Sequence, residues 1–297
     1  MEPEIKILRE AVDEEGGKSV CYTVNGEYIE HTHLTANAEF WKNIFNMKVF
    51  EDDTFIVTYA RVGTTLMQTI LLSLLSKDFA SDQLFKSSPF IEDKRETYDG
   101  VEAAENSQRP RLLKTHLNTT LMPSVYFERK PKSVIVIRNY YDCMVSNYHF
   151  YRDLPFFRGL YKDLTFDQFF EVFVEKEMHA CGSWFKWHKF WLEYATTIGN
   201  DHCLIVNYKD LVEDKVATVG HISRFLGIAA SQESLVKVEE DSDFKAMQNR
   251  FKDFGMQNFI REGQNNKGRE LFSEKQLVFF KEKVDKELGE LVNLIKM

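Results

Sequence analysis

The chain has 297 residues, of which 43% are hydrophobic and 14% aromatic, including 25 phenylalanines. A chain of this length and composition can bury a large core, and the many phenylalanines indicate a thick core, an apolar ligand pocket, or both. The formal net charge of −8 argues against a general nucleic-acid binder, because affinity for a phosphate backbone requires a basic surface. A small anionic ligand held by a few local arginines and lysines remains compatible with this charge.

The N-terminal residues are acidic and polar, which is not the pattern of a signal peptide. The longest apolar stretch, around residues 66–75, is interrupted by polar residues and is too short to span a bilayer. The HTH tripeptide at 31–33 is predicted to be a solvated loop. We therefore expect a cytoplasmic protein with no metal site and no membrane association. Reduced thiols, rather than zinc ligands or disulfides, are predicted for the scattered cysteines Cys21, Cys143, Cys181 and Cys203.

Four apolar runs rich in β-branched residues are continuous rather than alternating, which is typical of strands buried on both faces. They cover residues 54–59, 111–115, 133–137 and 203–207. Helical patterns lie between them at 64–77, 139–152, 166–173 (with Thr165 as N-cap and Gln168 three residues on) and 183–194. This alternation predicts an α/β fold, a single domain with a central, mostly parallel sheet flanked by helices. Ligands of such sheets bind at the carboxyl ends of the strands.

The first predicted strand runs into the loop ARVGTT, which precedes a helix. Gly63, followed by Thr64 and Thr65, presents backbone N–H groups and hydroxyls that suit a phosphate or sulfate, and Arg61 adds a positive charge. The Walker A pattern GxxxxGK[ST] is absent, which disfavours a Mg-dependent nucleotide kinase. By itself the loop is equally compatible with an ordinary strand–helix turn capped by threonines.

The second predicted strand ends in the tripeptide KTH. Lys114 and His116 share one face of an extended segment, whereas Thr115 points to the other face. A histidine titrates near neutrality and can accept a proton from an attacking hydroxyl, so His116 is a candidate general base and Lys114 a candidate electrophile. The alternative is a surface lysine next to a hydrogen-bonded core histidine.

Arg138 ends the third predicted strand, and Ser146 lies about two helical turns into the helix that follows. An arginine at a strand terminus can make a bidentate contact with a terminal phosphate, and a nearby hydroxyl completes such a site. The alternative is an arginine that caps the helix or forms an ion pair with Asp142.

In this order, the segments resemble the cytosolic sulfotransferases, over residues 40 to 276. The motifs are TYARVGTT for the 5′-phosphosulfate loop, RLLKTHL for the catalytic strand and IRNYYDCMVSNYHFYR for the 3′-phosphate segment, with SPFIE, GSWFKWHKFW, NYKDLVED, SDFKAM and FIREG as further matches. The resemblance implies the P-loop-kinase-like sulfotransferase fold. It also implies an N-terminal extension, residues 1–35, that packs on a sulfotransferase domain, residues 36–297.

The resemblance further implies a sulfuryl donor, 3′-phosphoadenosine 5′-phosphosulfate (PAPS), which leaves as PAP, and no metal. The residues implied to hold the 5′-phosphosulfate are Arg61, Gly63, Thr64 and Thr65. Those implied for the 3′-phosphate are Arg138, Ser146, Arg261 and Gly263, and those for the adenine are Tyr208, Ser242 and Phe244. Lys114 would lie by the sulfuryl oxygens and His116 would be the base. The residues implied to line the acceptor pocket are Phe90, Lys114, His116 and Phe150.

The chain also departs from the family pattern. Arg61 stands where the first loop of the family usually has a lysine, and it keeps the positive charge but has planar geometry. Leu66 stands where the family has the tryptophan that stacks on adenine, so stacking must weaken or come from Phe244. In the late loop Glu262 replaces a phosphate-binding lysine. The C-terminal dimer motif is poorly matched at 269–278, which predicts a monomer or a dimer with a non-standard interface.

The predicted function is in-line transfer of a sulfuryl group from PAPS to the hydroxyl or amine of a small aromatic or apolar acceptor, such as a phenol, monoamine or steroid. His116 would take the acceptor's proton. The alternative is a non-catalytic protein of the same fold that binds PAP or a hydrophobic ligand. The presence of both Lys114 and His116 favours catalysis.

Overall fold

The computed structural model describes residues 2–12, 18–75, 84–153, 161–252 and 268–296. Its strands are β1 (Ile5–Val12), β2 (Lys18–Val24), β3 (Glu27–Thr32), β4 (Thr54–Thr58), β5 (Lys94–Arg95), β6 (Tyr98–Asp99), β7 (Leu112–Thr115), β8 (Lys132–Ile137) and β9 (Cys203–Asn207). The central sheet is parallel and ordered β7-β4-β8-β9. These are the four strands predicted from the sequence, so the predicted fold class is confirmed.

The middle strands of this sheet are apolar on both faces because helices cover both. Residues 55–57 of β4 and 134–137 of β8 are fully buried. Branched and aromatic side chains of this kind fit a pleated surface that is packed from both sides. In the register, Val57 lies next to Thr115 on one side and Ile135 on the other. The carboxyl ends of β4, β7 and β8 therefore meet at one edge of the sheet.

The helix α2 follows β4 and the helix α6 follows β8, so both begin at this edge of the sheet. The α-helices are α1 (Ala38–Phe45), α2 (Thr64–Leu74), α3 (Leu84–Ser87), α4 (Gly100–Glu105), α5 (Ser124–Arg129), α6 (Tyr140–Asp153), α7 (Phe166–Phe169), α8 (Trp184–Ile198), α9 (Tyr208–Glu213), α10 (Lys215–Leu226), α11 (Gln232–Asp241), α12 (Phe244–Lys252) and α13 (Glu274–Leu288). Short 3₁₀ turns occupy His33–Thr35, Thr119–Leu121, Gly268–Leu271 and Gly289–Leu294. Within the described ranges, no helix combines the length and apolarity needed to cross a bilayer.

The helix α7 begins as the sequence predicts and then departs from the prediction. The Thr165 hydroxyl accepts a hydrogen bond from the N–H of Gln168, and the Gln168 side chain accepts one from the N–H of Thr165, which completes a capping box. The chain then continues as a π-helical turn, Phe170–Glu175, where the sequence predicts α-helix. The wider turn lets two adjacent pairs, 169/170 and 173/174, all face the core, and all four residues are buried.

A three-stranded antiparallel sheet, β1-β2-β3, precedes the first α-helix. It is joined to the rest of the chain by polar contacts. The Tyr22 hydroxyl donates to Thr35 Oγ1 at 2.8 Å, and the Glu30 N–H donates to the Ala180 carbonyl at 3.4 Å. The hydroxyl of Tyr161 donates to Glu30 Oε1 at 2.8 Å. The division of the chain at residue 35 stays a prediction.

The prediction of a solvated HTH loop is wrong for His31, which belongs to β3. Its ring lies edge-on to Phe90, with the ring centroids 6.4 Å apart, and its Nε2 is 3.8 Å from Asp93 Oδ1. His31 therefore contacts the segment that precedes β5. The N-terminal sheet therefore contributes a side chain near Phe90, one of the predicted acceptor-site residues.

Candidate active site

The loop between β4 and α2 makes a tight turn at Gly63. This residue has φ 105° and ψ 26°, a conformation that residues with a Cβ rarely adopt. A Cβ here would also lie 2.6 Å from Cδ2 of the Tyr208 ring. Gly63 has no side chain to cap α2, which begins with Thr64 and Thr65. The first N–H groups of the helix are therefore left to another acceptor, which suits a phosphate or sulfate.

Arg138, directly after β8, lies across the same edge of the sheet. Its Nη1 donates to the carbonyl oxygen of Arg61 at 3.1 Å, and its guanidinium lies over the Tyr208 ring, 4.4 Å from the centroid. Its Nε is buried and has no hydrogen-bond partner in the described ranges. Tyr208 itself begins α9 and packs against Gly63. The structure thus brings Arg138, Tyr208 and the Gly63 turn together.

Arg61 extends from the turn toward α6. Its Nε donates to Ser146 Oγ at 3.3 Å, and its guanidinium lies 4.9 Å from the centroid of the Phe150 ring. Arg61 also has a positive φ of 68°. The arginine that stands in place of the family's usual lysine therefore links the first loop to Ser146 and Phe150.

His116 follows β7 and faces the end of β4. Its Nδ1 lies 2.7 Å from the carbonyl oxygen of Thr58. Because a carbonyl can only accept, Nδ1 carries the proton and Nε2 carries the lone pair. Burial, together with the nearby charge of Lys114, lowers the pKa of His116 well below its ordinary value. The imidazole is therefore neutral at pH 7, and Nε2 is the nitrogen that can accept a proton.

A hydrogen-bond chain joins His116 to the start of α2. Thr58 Oγ1 lies 2.9 Å from His116 Nδ1 and 2.9 Å from Thr64 Oγ1. The backbone of His116 is held as well, since its N–H donates to the Glu92 carboxylate and its carbonyl accepts from Trp187 Nε1 at 2.9 Å. Sequence reasoning gave no role to Thr58, Glu92 or Trp187. The available signals were the position of Thr58 at the end of a strand and the motifs SPFIE and GSWFKWHKFW.

Lys114 lies next to His116 on the face that the sequence predicts. Its Nζ is 3.7 Å from the centroid of the Phe90 ring, and the His116 ring is edge-on to Phe90 at 4.8 Å. Phe90 reaches this position because its segment pairs with β7. The Lys114 N–H donates to the Pro89 carbonyl at 2.8 Å, and the Ile91 N–H donates to the Lys114 carbonyl at 3.1 Å. Burial lowers the pKa of Lys114 to about 8.

The remaining predicted donor-site residues are not joined to this cluster by described contacts. Ser242 follows α11, which packs on α2, and its hydroxyl donates to the Val238 carbonyl at 2.6 Å. In the parts of the chain that the structure describes, no hydrogen bond or ring contact links Ser242 or Phe244 to the Gly63 turn. The late-loop residues Arg261, Glu262 and Gly263 lie outside the described residues.

A family model of the sulfotransferase domain matches residues 51–292. The chain belongs to the sulfotransferase family. Among curated relatives of this sulfotransferase, sulfotransferase 1C2 of Oryctolagus cuniculus is 32% identical over 213 residues, which are 70% of this chain and 69% of the relative. Sulfotransferase 2B1 of Homo sapiens is 33% identical over 235 residues, which are 77% of this chain and 59% of the relative.

Solved structures share the fold at lower identity. Retinol dehydratase, in complex with androsterone and the inactive cofactor PAP, has a TM-score of 0.77 at 20% identity, with 98% of both chains covered. Mouse sulfotransferase SULT7A1, complexed with PAP, has a TM-score of 0.76 at 21% identity, with 92% of this sulfotransferase and 97% of that chain covered. These similarities establish the fold, whereas the roles of individual residues stay predictions.

Proposed function

We propose that this sulfotransferase moves the sulfuryl group of PAPS to the hydroxyl or amine of a small aromatic or apolar acceptor, with His116 as the base. The observation that carries the proposal is an imidazole whose Nδ1 donates to the Thr58 carbonyl, which leaves Nε2 to accept a proton, at the same sheet edge as a glycine turn whose helix has no side-chain cap. Thr58 and Thr64 connect the two. PAPS, when bound, supplies the sulfuryl group and leaves as PAP.

We assign the 5′-phosphosulfate to the Gly63 turn. The backbone N–H groups of Thr64 and Thr65 and the positive end of α2 stabilise negative charge there. Arg61 adds a guanidinium, which reaches toward Ser146 at 3.3 Å. The positive charge of this side chain is therefore available between the two anionic ends of the donor.

We assign the 3′-phosphate to Arg138 and Ser146. The buried Nε of Arg138, which has no partner in the described ranges, fits a phosphate oxygen. The Tyr208 ring, which is in contact with this guanidinium and lies against Gly63, suits the adenosine. By resemblance alone, further adenosine and phosphate contacts are assigned to Ser242, Phe244, Arg261 and Gly263.

The chemistry at the acceptor requires removal of one proton and neutralisation of negative charge. Nε2 of His116 takes the proton as the acceptor oxygen or nitrogen attacks sulfur. The Lys114 ammonium, next to it over Phe90, stabilises charge on the sulfuryl oxygens. Alignment and charge stabilisation of this kind account for most of the catalysis expected in group transfer between oxygens.

The acceptor class follows from the apolar rings around the base. Phe90 contacts both Lys114 and His116, and Phe150 contacts Arg61. The similar structure of retinol dehydratase holds androsterone, which is consistent with an apolar acceptor here. A cytosolic location, and a monomer or a dimer with a non-standard interface, stay predictions from the sequence resemblance.

Replacement of His116 by alanine tests the proposal. With radiolabelled PAPS and a panel of phenols, catecholamines and sterols, the wild-type protein should sulfate at least one acceptor. His116→Ala should lower its turnover by about 10²–10⁴-fold, which is the typical contribution of a positioned base. PAP affinity in calorimetry should be unchanged, since the imidazole is not assigned to PAP.

The matched control is His221→Ala, which removes an exposed imidazole of α10 and should leave turnover unchanged. Near-normal activity of His116→Ala would remove His116 from the mechanism. Wild-type protein that binds PAP but sulfates nothing would favour a non-catalytic binding protein. A thermal shift with ATP and Mg²⁺ but not with PAP would favour a nucleotide kinase.

A further inference from the structure

Asn147 is a buried amide on α6, and the reaction described above gives it no role. The residue is 0% exposed and directly follows Ser146, which we assign to the 3′-phosphate. Cys143 lies one helical turn earlier on the same side of α6. A carboxamide loses its hydrogen bonds to water when it is buried, so it must find partners within the protein. The partners of Asn147 connect α6 to another part of the site.

Both hydrogens of the Asn147 amide are directed to backbone carbonyls. Nδ2 donates to the Ala60 carbonyl oxygen at 3.2 Å and to the Cys143 carbonyl oxygen at 3.0 Å. Because a carbonyl can only accept, these contacts identify the amide nitrogen. The Cys143 thiol also donates to the Ala60 carbonyl, at 3.5 Å. Two side chains of α6 therefore converge on Ala60, which directly precedes Arg61 in the loop assigned to the 5′-phosphosulfate.

The oxygen of the same amide is held by His179, which precedes α8. The Cys181 N–H donates to His179 Nδ1 at 3.2 Å, so Nδ1 carries the lone pair and Nε2 carries the proton. Nε2 donates to Asn147 Oδ1 at 3.0 Å. The His179 ring is stacked on the Tyr59 ring, with the centroids 4.9 Å apart. Each donor from Cys181 to the Ala60 carbonyl is therefore matched by an acceptor, and the orientation of the amide is fixed.

Other described hydrogen bonds join the same loop to β8 and α6. Arg138 Nη1 donates to the Arg61 carbonyl at 3.1 Å, and Arg61 Nε donates to Ser146 Oγ at 3.3 Å. We assign these side chains to the donor, so phosphate oxygens compete for them when the donor binds. Asn147 has no such assignment, and its bond to Ala60 can stay unchanged in the bound state.

We propose that Asn147 is a positioning residue for the donor, which fixes the 5′-phosphosulfate loop against the helix that binds the 3′-phosphate. This inference rests on the proposed function, because the separation of the two segments matters only if one ligand spans both. Asn147 does not touch the donor and acts through the carbonyl of Ala60. A ligand with two anionic ends binds more tightly when the sites for both ends are already held at the right separation, because less of the protein must be ordered.

The variant Asn147→Leu tests the proposal, because leucine has a similar size and cannot donate to the Ala60 carbonyl. In calorimetry PAP should bind about tenfold more weakly than to the wild type, which is equivalent to about 1.4 kcal/mol and is the size expected for one lost hydrogen bond. Adenosine 3′-phosphate lacks the 5′ group and does not use the loop. Its affinity, measured by ligand-observed NMR, should be unchanged, whereas a general loss of structure would weaken both ligands.

Asn118→Leu is the matched control, because Asn118 is also a buried amide, 4% exposed, and it caps the turn Thr119–Leu121. It should lower the urea midpoint and leave PAP affinity unchanged. Unchanged PAP affinity in folded Asn147→Leu overturns the proposal, and so does an equal loss of affinity for PAP and adenosine 3′-phosphate. Wild-type protein that does not bind PAP contradicts the proposed function itself, which is a different result from a wild type and an Asn147 variant that bind PAP equally well.

If Asn147→Leu does not fold, the wild-type protein provides the test. A contact that strengthens PAP binding must itself be strengthened by PAP, because the coupling is reciprocal. Saturation with PAP should therefore slow hydrogen exchange of the Asn147 carboxamide, followed by NMR, by about tenfold, the same factor as the expected loss of affinity. An exchange rate that PAP does not change overturns the proposal.

Discussion

Replacing Gly63 by alanine would place a methyl group against the Tyr208 ring, in the proposed donor site. The backbone there has φ 105°, and the new Cβ would lie 2.6 Å from Cδ2 and 2.9 Å from Cε2 of Tyr208. Either the turn or the Tyr208 ring must move, and the ring lies under the Arg138 guanidinium. We therefore expect Gly63→Ala to lose both stability and affinity for PAP.

The expected loss has two parts. A positive φ costs a residue with a Cβ about 1–2 kcal/mol, and forcing a methyl group into filled space costs about 1–3 kcal/mol. Gly227 offers a matched control, because it has φ 74° at the end of α10 and nothing within 4 Å of an added Cβ. Gly227→Ala should show only the first part, about 1–2 kcal/mol, and should bind PAP as the wild type does.

Urea denaturation and calorimetry with PAP measure both effects. Gly63→Ala should unfold at lower urea than Gly227→Ala and should bind PAP at least about tenfold more weakly, equivalent to about 1.4 kcal/mol. In a Tyr208→Ala background the stability cost of Gly63→Ala should shrink, because the colliding ring is gone. Equal losses of unfolding free energy in the two glycine variants would refute the predicted collision with Tyr208. Unchanged PAP affinity in Gly63→Ala would refute the assignment of the turn to the donor.

Three other outcomes are expected. Arg138→Ala should weaken PAP binding at least about tenfold, whereas Arg129→Ala, which removes an exposed arginine of α5, should not; equal affinities would exclude Arg138 from the 3′-phosphate site. Arg61→Lys should retain or raise turnover because the charge is kept, and a collapse to background would show that the planar guanidinium is required. Burial lowers the pKa of His179 and of His188 from 6.5 to about 3, so below pH 6.5 the unfolded chain binds protons that the folded chain does not. The free energy of unfolding should therefore decrease as the pH is lowered from 6.5 to 3, by about 2 kcal/mol per histidine at pH 5. A urea midpoint that is the same at pH 8 and pH 5 would contradict this.

Local sequence patterns were sufficient for the central sheet and for several helix starts. The run at 133–137 is apolar without alternation, and it became β8, Lys132–Ile137, because both faces of that strand are covered. The capping box of Thr165 and Gln168 lies within four residues, so its partners are visible in the sequence. Hydrophobic spacing failed at Phe170–Glu175, since six residues with paired apolar positions fit an α-helix and a π-helix alike.

The parts of the site that were missed depend on contacts between distant segments. The sequence predicts Lys114 and His116 at the end of a strand, but the residues that contact them come from distant parts of the chain. Thr58 reaches His116 across the sheet, Glu92 arrives through the pairing of its segment with β7, and His31 arrives with the N-terminal sheet. A single sequence carries no record of which distant segments will pair, so the electrostatic surroundings of the proposed base could not be predicted.

The proposed base, His116, is held by hydrogen bonds of its main chain as well as of its ring. Both backbone ties of His116, from the N–H to Glu92 and from Trp187 to the carbonyl, are independent of the side chain at 116. The substitution His116→Ala should therefore leave a cavity of the size of an imidazole ring in an otherwise unchanged site, with the Thr58 carbonyl still directed into it. A small free base diffusing in from solvent would meet the same hydrogen-bond acceptor that now orients the native ring, so the position is suited to chemical rescue.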